Sequence, residues 1–263
     1  AVENEKLGED THTDFLLIDF SSTDYVGHQF GVNSKEVQDT YIRLDKEIER
    51  LLDYFDNKVG PGNYTLFLTA DHGATGVPGF LKDSKIPVNY FDAYKWKKHI
   101  ESSVIELFKT KKIIVGNSNN QIFLNHNLIE KTNLNFEEVQ RKIIKIMQSF
   151  PGIGNVYSSQ EILTSNNDHH TTLVRNGFNK NLSGDIVYTL MPNWKFPRKG
   201  STHGSMYDHD THVPLIFYGN GIKKGSISRR TDVIDIAPTI ATVLGINSPD
   251  GSTGQVIHEV IDD

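Results

Sequence analysis

Two kinds of apolar pattern alternate along this chain. Phe15-Leu-Leu-Ile-Asp-Phe20 and Tyr64-Thr-Leu-Phe-Leu-Thr69 are short runs with little polar alternation. That pattern predicts strands buried on both faces. Between them, Val37, Tyr41, Leu44, Ile48, Leu51, Leu52 and Phe55 recur at three and four residues. Such spacing lays one apolar stripe along a helix over Glu36–Phe55, which Gly60-Pro61-Gly62 terminates. Strand, helix, strand predicts a βαβ unit with parallel pairing and a right-handed crossover. In open sheets of that kind, ligands bind beyond the carboxyl ends of the strands. Asp24 follows the first run and Asp71-His72 follows the second.

From about residue 86 to 195 the rhythm changes. The pattern predicts a helix over Ala93–Phe108, strands at Lys112–Val115 and Gln121–Leu124, and an amphipathic helix over Phe136–Phe150. Further strands are expected at Val156-Tyr157 and Asp185–Met191, with the polar stretch Ser165–Asn181 as a surface loop. Short strands among helices suggest an α+β insertion. The expected division is a core of residues 1–85 and 196–263 with an insertion at 86–195. Val213-Pro-Leu-Ile-Phe-Tyr218 returns to the buried-strand pattern. Asp235-Ile-Ala-Pro-Thr239 then opens a helix that ends near Gly245. The chain opens on Ala-Val-Glu-Asn-Glu-Lys-Leu-Gly, which reads as the end of a helix entering a strand, so a fragment is expected.

Bulk properties narrow the chemistry. A chain of 263 residues with 37% hydrophobic and 23% charged residues fits a globular protein. A net charge of −6 without a long basic block argues against nucleic acid as a partner. No run of about 18 apolar residues predicts a membrane span. No signal peptide is evident. Cysteine is absent, so any metal must be held by oxygen and nitrogen.

Those donors occur in three segments: Ser21-Ser-Thr-Asp-Tyr-Val-Gly-His28, Thr69-Ala-Asp-His-Gly73 and Thr202-His-Gly-Ser205. Carboxylates and imidazoles are the ligands of catalytic zinc. Asp24, His28, Asp71, His72 and His203 together could seat two metals. A metal pair about 4 Å apart clamps the attacking and leaving oxygens of a phosphoryl transfer. Two of these pieces alone also fit a plainer reading, Asp24 as a helix cap with a loop histidine at His28 and His203 as a surface turn, while a tight turn would let both Asp71 and His72 reach a metal. His209 and His212 stay open between metal ligands and a solvated turn. His169-His170 reads as surface, and His12, His99, His126 and His258 show no partner signal. There is no nucleophile elbow, phosphate loop or dinucleotide fingerprint. Ser21, Ser22 and Thr23 read as polar strand-end residues, so no nucleophile is evident.

In combination and in this order, D-F-S-S-T-D-Y-V-G-H, L-T-A-D-H-G-A, S-T-H-G-S-x-Y-x-x-D-T-H-V-P-L-I-F-Y-G and D-I-A-P-T resemble the alkaline phosphatase superfamily. The likeness covers nearly the whole chain. It is to the bacterial single-chain phosphatases of the Elizabethkingia type, related to nucleotide pyrophosphatases/phosphodiesterases. The resemblance implies an α/β, three-layer αβα sandwich with a mostly parallel sheet, its N-terminal part missing, and a cap-like α+β insertion. It implies Asp24, His28 and His203 on one zinc and Asp71 and His72 on another. The ligands completing the second site, the Thr or Ser nucleophile and the phosphate contacts would precede Ala1. The implied activity is zinc-dependent hydrolysis of phosphate monoesters by the intact protein, in the periplasm or outside the cell, with this segment alone inactive. A phosphodiesterase or sulfatase on the same scaffold, or a non-catalytic metal-binding module, are the alternatives.

Overall fold

The computed structural model describes residues 1–165, 168–197 and 199–262. In chain order the elements are α1 (Val2–Glu5), α2 (Ser22–Phe30), α3 (Lys35–Lys58), β1 (Thr65–Thr69), α4 (Pro78–Asp83), α5 (Ala93–Phe108), β2 (Ile114–Ser118), β3 (Gln121–Leu124) and α6 (His126–Lys131). There follow α7 (Phe136–Gln148), β4 (Ile153–Ser158), α8 (Ser159–Thr164), α9 (His169–Asn176), β5 (Ile186–Leu190), α10 (Asp208–Thr211), β6 (Leu215–Gly219) and α11 (Ile236–Val243). The chain divides into two compact units. One comprises Ala1–Thr23, Gln38–Gly73 and His212–Asp263; the other comprises Asp24–Val37 and Ala74–Thr211.

The second unit carries the large core. Its four-stranded antiparallel sheet runs β2-β3-β5-β4. Against it lie α5, through Trp96, Ile100 and Val104, and α7, through Val139, Ile143 and Met147. Phe91, Ile113, Ile122 and Ile186 are sealed among them. Each large apolar side chain so buried stabilises the fold by about 1.5–3 kcal/mol relative to exposure. Helix starts are set by side-chain caps. Asp92 accepts from the Lys95 amide at 2.9 Å and Asn135 from the Glu138 amide at 2.9 Å. Ser158 and Glu161 form a reciprocal capping box.

In the first unit, β1 pairs antiparallel with β6, Thr65 opposite Gly219 and Thr69 opposite Leu215. Phe67 faces Phe217 with ring centroids 6.5 Å apart. The stripe of α3 is half-buried at Leu44, Ile48, Leu51, Leu52 and Phe55.

Several expectations change. The mostly parallel sheet is not present among the described residues: both sheets are antiparallel. Phe15–Phe20 forms no strand. It stacks Phe15 on Phe67 at 6.4 Å, yet Phe15 stays 64% and Leu17 76% exposed. An apolar run becomes a strand only where another edge supplies ladder bonds, and among the described residues none pairs with it. Without it the βαβ unit lacks its first strand. In β6, Ile216 and Tyr218 face outward, so that strand is half-buried and not buried on both faces. The expected loop at Ser165–Asn181 contains α9. Asp168 caps it by accepting from the Thr171 amide at 2.8 Å and hydroxyl at 2.6 Å. Residues 166 and 167 of that stretch lie outside the described residues.

Candidate metal centre

Helix α2 places the first two donors. Asp24 lies in its first turn, where the helix dipole favours a carboxylate. His28 follows four residues later, on the same face. The helix stops at Gly31, whose φ of 95° suits a left-handed cap and whose amide bonds the Gly27 carbonyl at 2.9 Å. A Cβ there would come within 2.4 Å of Val77. The i, i+4 spacing sets His28 Nε2 3.3 Å from Asp24 Oδ2.

The third donor arrives on a loop about 170 residues away in sequence. Gly200, with φ 48°, lets the chain press against the last turn of α2: a Cβ would stand 2.4 Å from the His28 carbonyl oxygen. Ser201 then donates its amide to the Gly27 carbonyl at 2.9 Å, and Thr202 accepts from the Thr75 amide at 2.7 Å. His203 is carried to the face of α2 that holds Asp24 and His28. Its Nε2 lies 3.3 Å from His28 Nε2 and 3.7 Å from Asp24 Oδ1. All three side chains are half-buried, and their donor atoms lie within 4.8 Å of one another. Two imidazole Nε2 atoms and a carboxylate converging on one point, partly withdrawn from water, offer a donor set suited to a divalent cation.

Asp71 and His72 lie just past β1. His72 Nε2 stands 3.5 Å from Asp71 Oδ2, and His72 Nδ1 is 2.8 Å from the Gly73 carbonyl. The Asp71 side chain is 88% exposed. These are two donors from adjacent residues, and they join no set of three among the described residues.

Two contributors were not expected from sequence. The Ser201 carbonyl lies 2.9 Å from His28 Nδ1. Buried Lys195 donates through Nζ to the Gly200 carbonyl. Only the glycines around Ser201 hinted that this loop is tightly held. His209 lies 3.3 Å from the Ser205 hydroxyl and 3.8 Å from buried Asp210, apart from the three-donor set. His212 is exposed. His126 and His99, which showed no partner signal, bond Asp185 at 2.8 Å and the Ile146 carbonyl at 3.1 Å.

Residues 2–214 match the family described as type I phosphodiesterase / nucleotide pyrophosphatase. The chain is 40% identical over its whole length to a Myroides odoratus protein named calcium-transporting ATPase, covering 49% of that protein. It is 36% identical over 99% of its length to alkaline phosphatase PafA of Elizabethkingia meningoseptica, covering 48% of it. The crystal structure of wild-type PafA superposes with a TM-score of 0.91, covering 99% of this chain and 50% of that one. The chain thus spans about half the length of the curated relatives it matches.

Proposed function

Because this chain belongs to the type I phosphodiesterase / nucleotide pyrophosphatase family, we propose that it is the metal-binding portion of a zinc-dependent hydrolase of phosphate monoesters. The observation that carries the reading is the Asp24–His28–His203 set. Two donors each about 2.0–2.1 Å from a tetrahedral zinc stand roughly 3.3–3.4 Å apart. Here the two Nε2 atoms are 3.3 Å apart, His28 Nε2 is 3.3 Å from Asp24 Oδ2 and His203 Nε2 is 3.7 Å from Asp24 Oδ1, and one donor atom from each residue lies within 4.8 Å of the others. Three protein donors leave a fourth position for substrate or water.

Bound zinc would act as a Lewis acid on a phosphoryl or leaving-group oxygen. The residues do the rest. Asp24 offsets part of the cation's charge. His28 and His203 point Nε2 inward, and the carbonyl against His28 Nδ1 keeps that ring from rotating. Asp71 and His72 are proposed for a second zinc, which needs at least one further ligand. The nucleophilic hydroxyl is proposed to lie outside residues 1–263, as are the phosphate contacts. The residue 86–195 body is proposed as an insertion in a metal-binding core. The periplasmic or extracellular location implied by the resemblance belongs to the same proposal. No helix among the described residues is long and apolar enough to cross a membrane.

The description of the matched family favours phosphodiesters as a second reading, whereas PafA bears the name alkaline phosphatase. The test is hydrolysis of p-nitrophenyl phosphate, bis-p-nitrophenyl phosphate and p-nitrophenyl sulfate by the polypeptide the gene encodes. The reading expects monoester turnover that a chelator removes and zinc restores, and negligible turnover by residues 1–263 alone. Preference for the diester shifts the reading to the phosphodiesterase. Inactivity on all three favours a non-catalytic metal-binding module.

A further inference from the structure

We propose that Ser201 is a positioning residue that presets both histidines of the metal centre. This rests on the metal-site reading above and adds what prepares that site. Ser201 is 1% exposed and makes three hydrogen bonds to the end of α2 and the residues after it. Its amide donates to the Gly27 carbonyl at 2.9 Å. Its hydroxyl accepts from the Val32 amide at 3.0 Å. Its carbonyl faces His28 Nδ1 at 2.9 Å.

The last contact decides a tautomer. A carbonyl oxygen can only accept, so Nδ1 of neutral His28 must carry the proton. Its Nε2 is then left with the lone pair, on the side where His203 Nε2 lies 3.3 Å away. A metal-ligating imidazole is commonly oriented through its other nitrogen in this way. The same residue fixes His203, two positions along. Gly200 is anchored by Lys195 on one side of Ser201, and Thr202 by the Thr75 amide on the other. Among the described residues, the hydroxyl bond to Val32 is a side-chain link from this loop to the chain beyond α2. Removing it orphans a donor and lets the carbonyl drift from His28.

Three measurements on the 263-residue chain test this. Long-range proton–nitrogen NMR of histidine-labelled, metal-free protein should find His28 protonated at Nδ1. Competition calorimetry should find zinc bound about 10-fold more weakly by Ser201→Ala, the low end of the loss typical for outer-shell partners. The visible absorption of bound cobalt should lose intensity in Ser201→Ala and recover in Ser201→Thr, which keeps the hydroxyl. A purely structural role would lower the melting temperature of the metal-free protein and leave zinc affinity and cobalt spectrum unchanged, overturning the proposal. If Ser201→Ala does not fold by circular dichroism, the wild-type tautomer decides, and protonation at Nε2 overturns it. If the wild type binds neither zinc nor cobalt, the metal-site reading falls first and this one with it.

Discussion

His203 does work that neither member of the α2 pair can do alone. Asp24 and His28 at 3.3 Å are a common i, i+4 helix pairing, worth a few tenths of a kcal/mol. His203 adds a second imidazole nitrogen facing the first at 3.3 Å. Without metal the two nitrogens can share one proton in a hydrogen bond; a cation held between them would take its place, so metal binding and folding are expected to be linked. His203→Ala is expected to remove the tight zinc and the rise in melting temperature that zinc brings, since a ligand bound only by the folded state stabilises it by mass action. Elemental analysis after dialysis, with a thermal scan, checks this; unchanged zinc content would exclude His203 as a ligand. In the first unit, Arg229 grips Glu259 with a two-pronged contact, Nη2 to Oε2 at 2.8 Å. That bond to the guanidinium holds the Glu259 carboxyl down to about 2. The folded value is depressed, so the pair's contribution is full above about 4.3, the usual glutamate value. It is lost as pH falls toward 2. Both groups face solvent, so the contribution is modest and salt-screened. A carbon-13 titration of Glu259 should show its midpoint near 2; a midpoint near that usual glutamate value means the pair is not formed in solution.

At the scale of elements, the second unit has the firmest architecture. Ile143 of α7 is fully buried against the sheet. Ile143→Ala is expected to cost about 2–5 kcal/mol, read as a fall in the urea midpoint with unchanged slope; a loss below 1 kcal/mol would mean the site repacks. This unit was also the more legible in sequence. Helix Ala93–Phe108 and strand Gln121–Leu124 appear as expected, because their apolar periodicity and their packing agree. Helix α9 was hidden: its stability starts from the Asp168 cap and not from an apolar stripe. Phe15–Phe20 misled for the opposite reason, since apolar content speaks of burial and cannot say whether an edge exists to bury it. For the centre, donor identity and the Asp24–His28 spacing could be read from one dimension. That His203 meets them was implied only by the family resemblance and not by spacing, because the meeting depends on Gly200 approaching the His28 carbonyl and on Ser201 bonding across it. The pair Asp71-His72, adjacent in sequence, was readable as a pair, and the described residues add no third donor to it.

Over the whole molecule, the first unit leaves large apolar side chains in water. Phe15, Leu17, Ile216 and Tyr218 are all exposed, and among the described residues β1 and β6 make a two-stranded sheet. Unpaired edges beside apolar surface promote association. Residues 1–263 on their own are expected to self-associate with rising concentration. Sedimentation velocity checks this, with Leu17→Lys reducing the effect; a monomer at all concentrations would show that the surface is benign. The central claim is narrower, that Asp24, His28 and His203 hold one zinc. The most direct measurement is anomalous X-ray scattering at the zinc edge from crystals of this chain grown with zinc. The account predicts one strong peak bonded to Nε2 of His28, Nε2 of His203 and a carboxylate oxygen of Asp24, each at about 2.0–2.2 Å. Ordered side chains with no peak between them, or the strong peak on other residues, would contradict it.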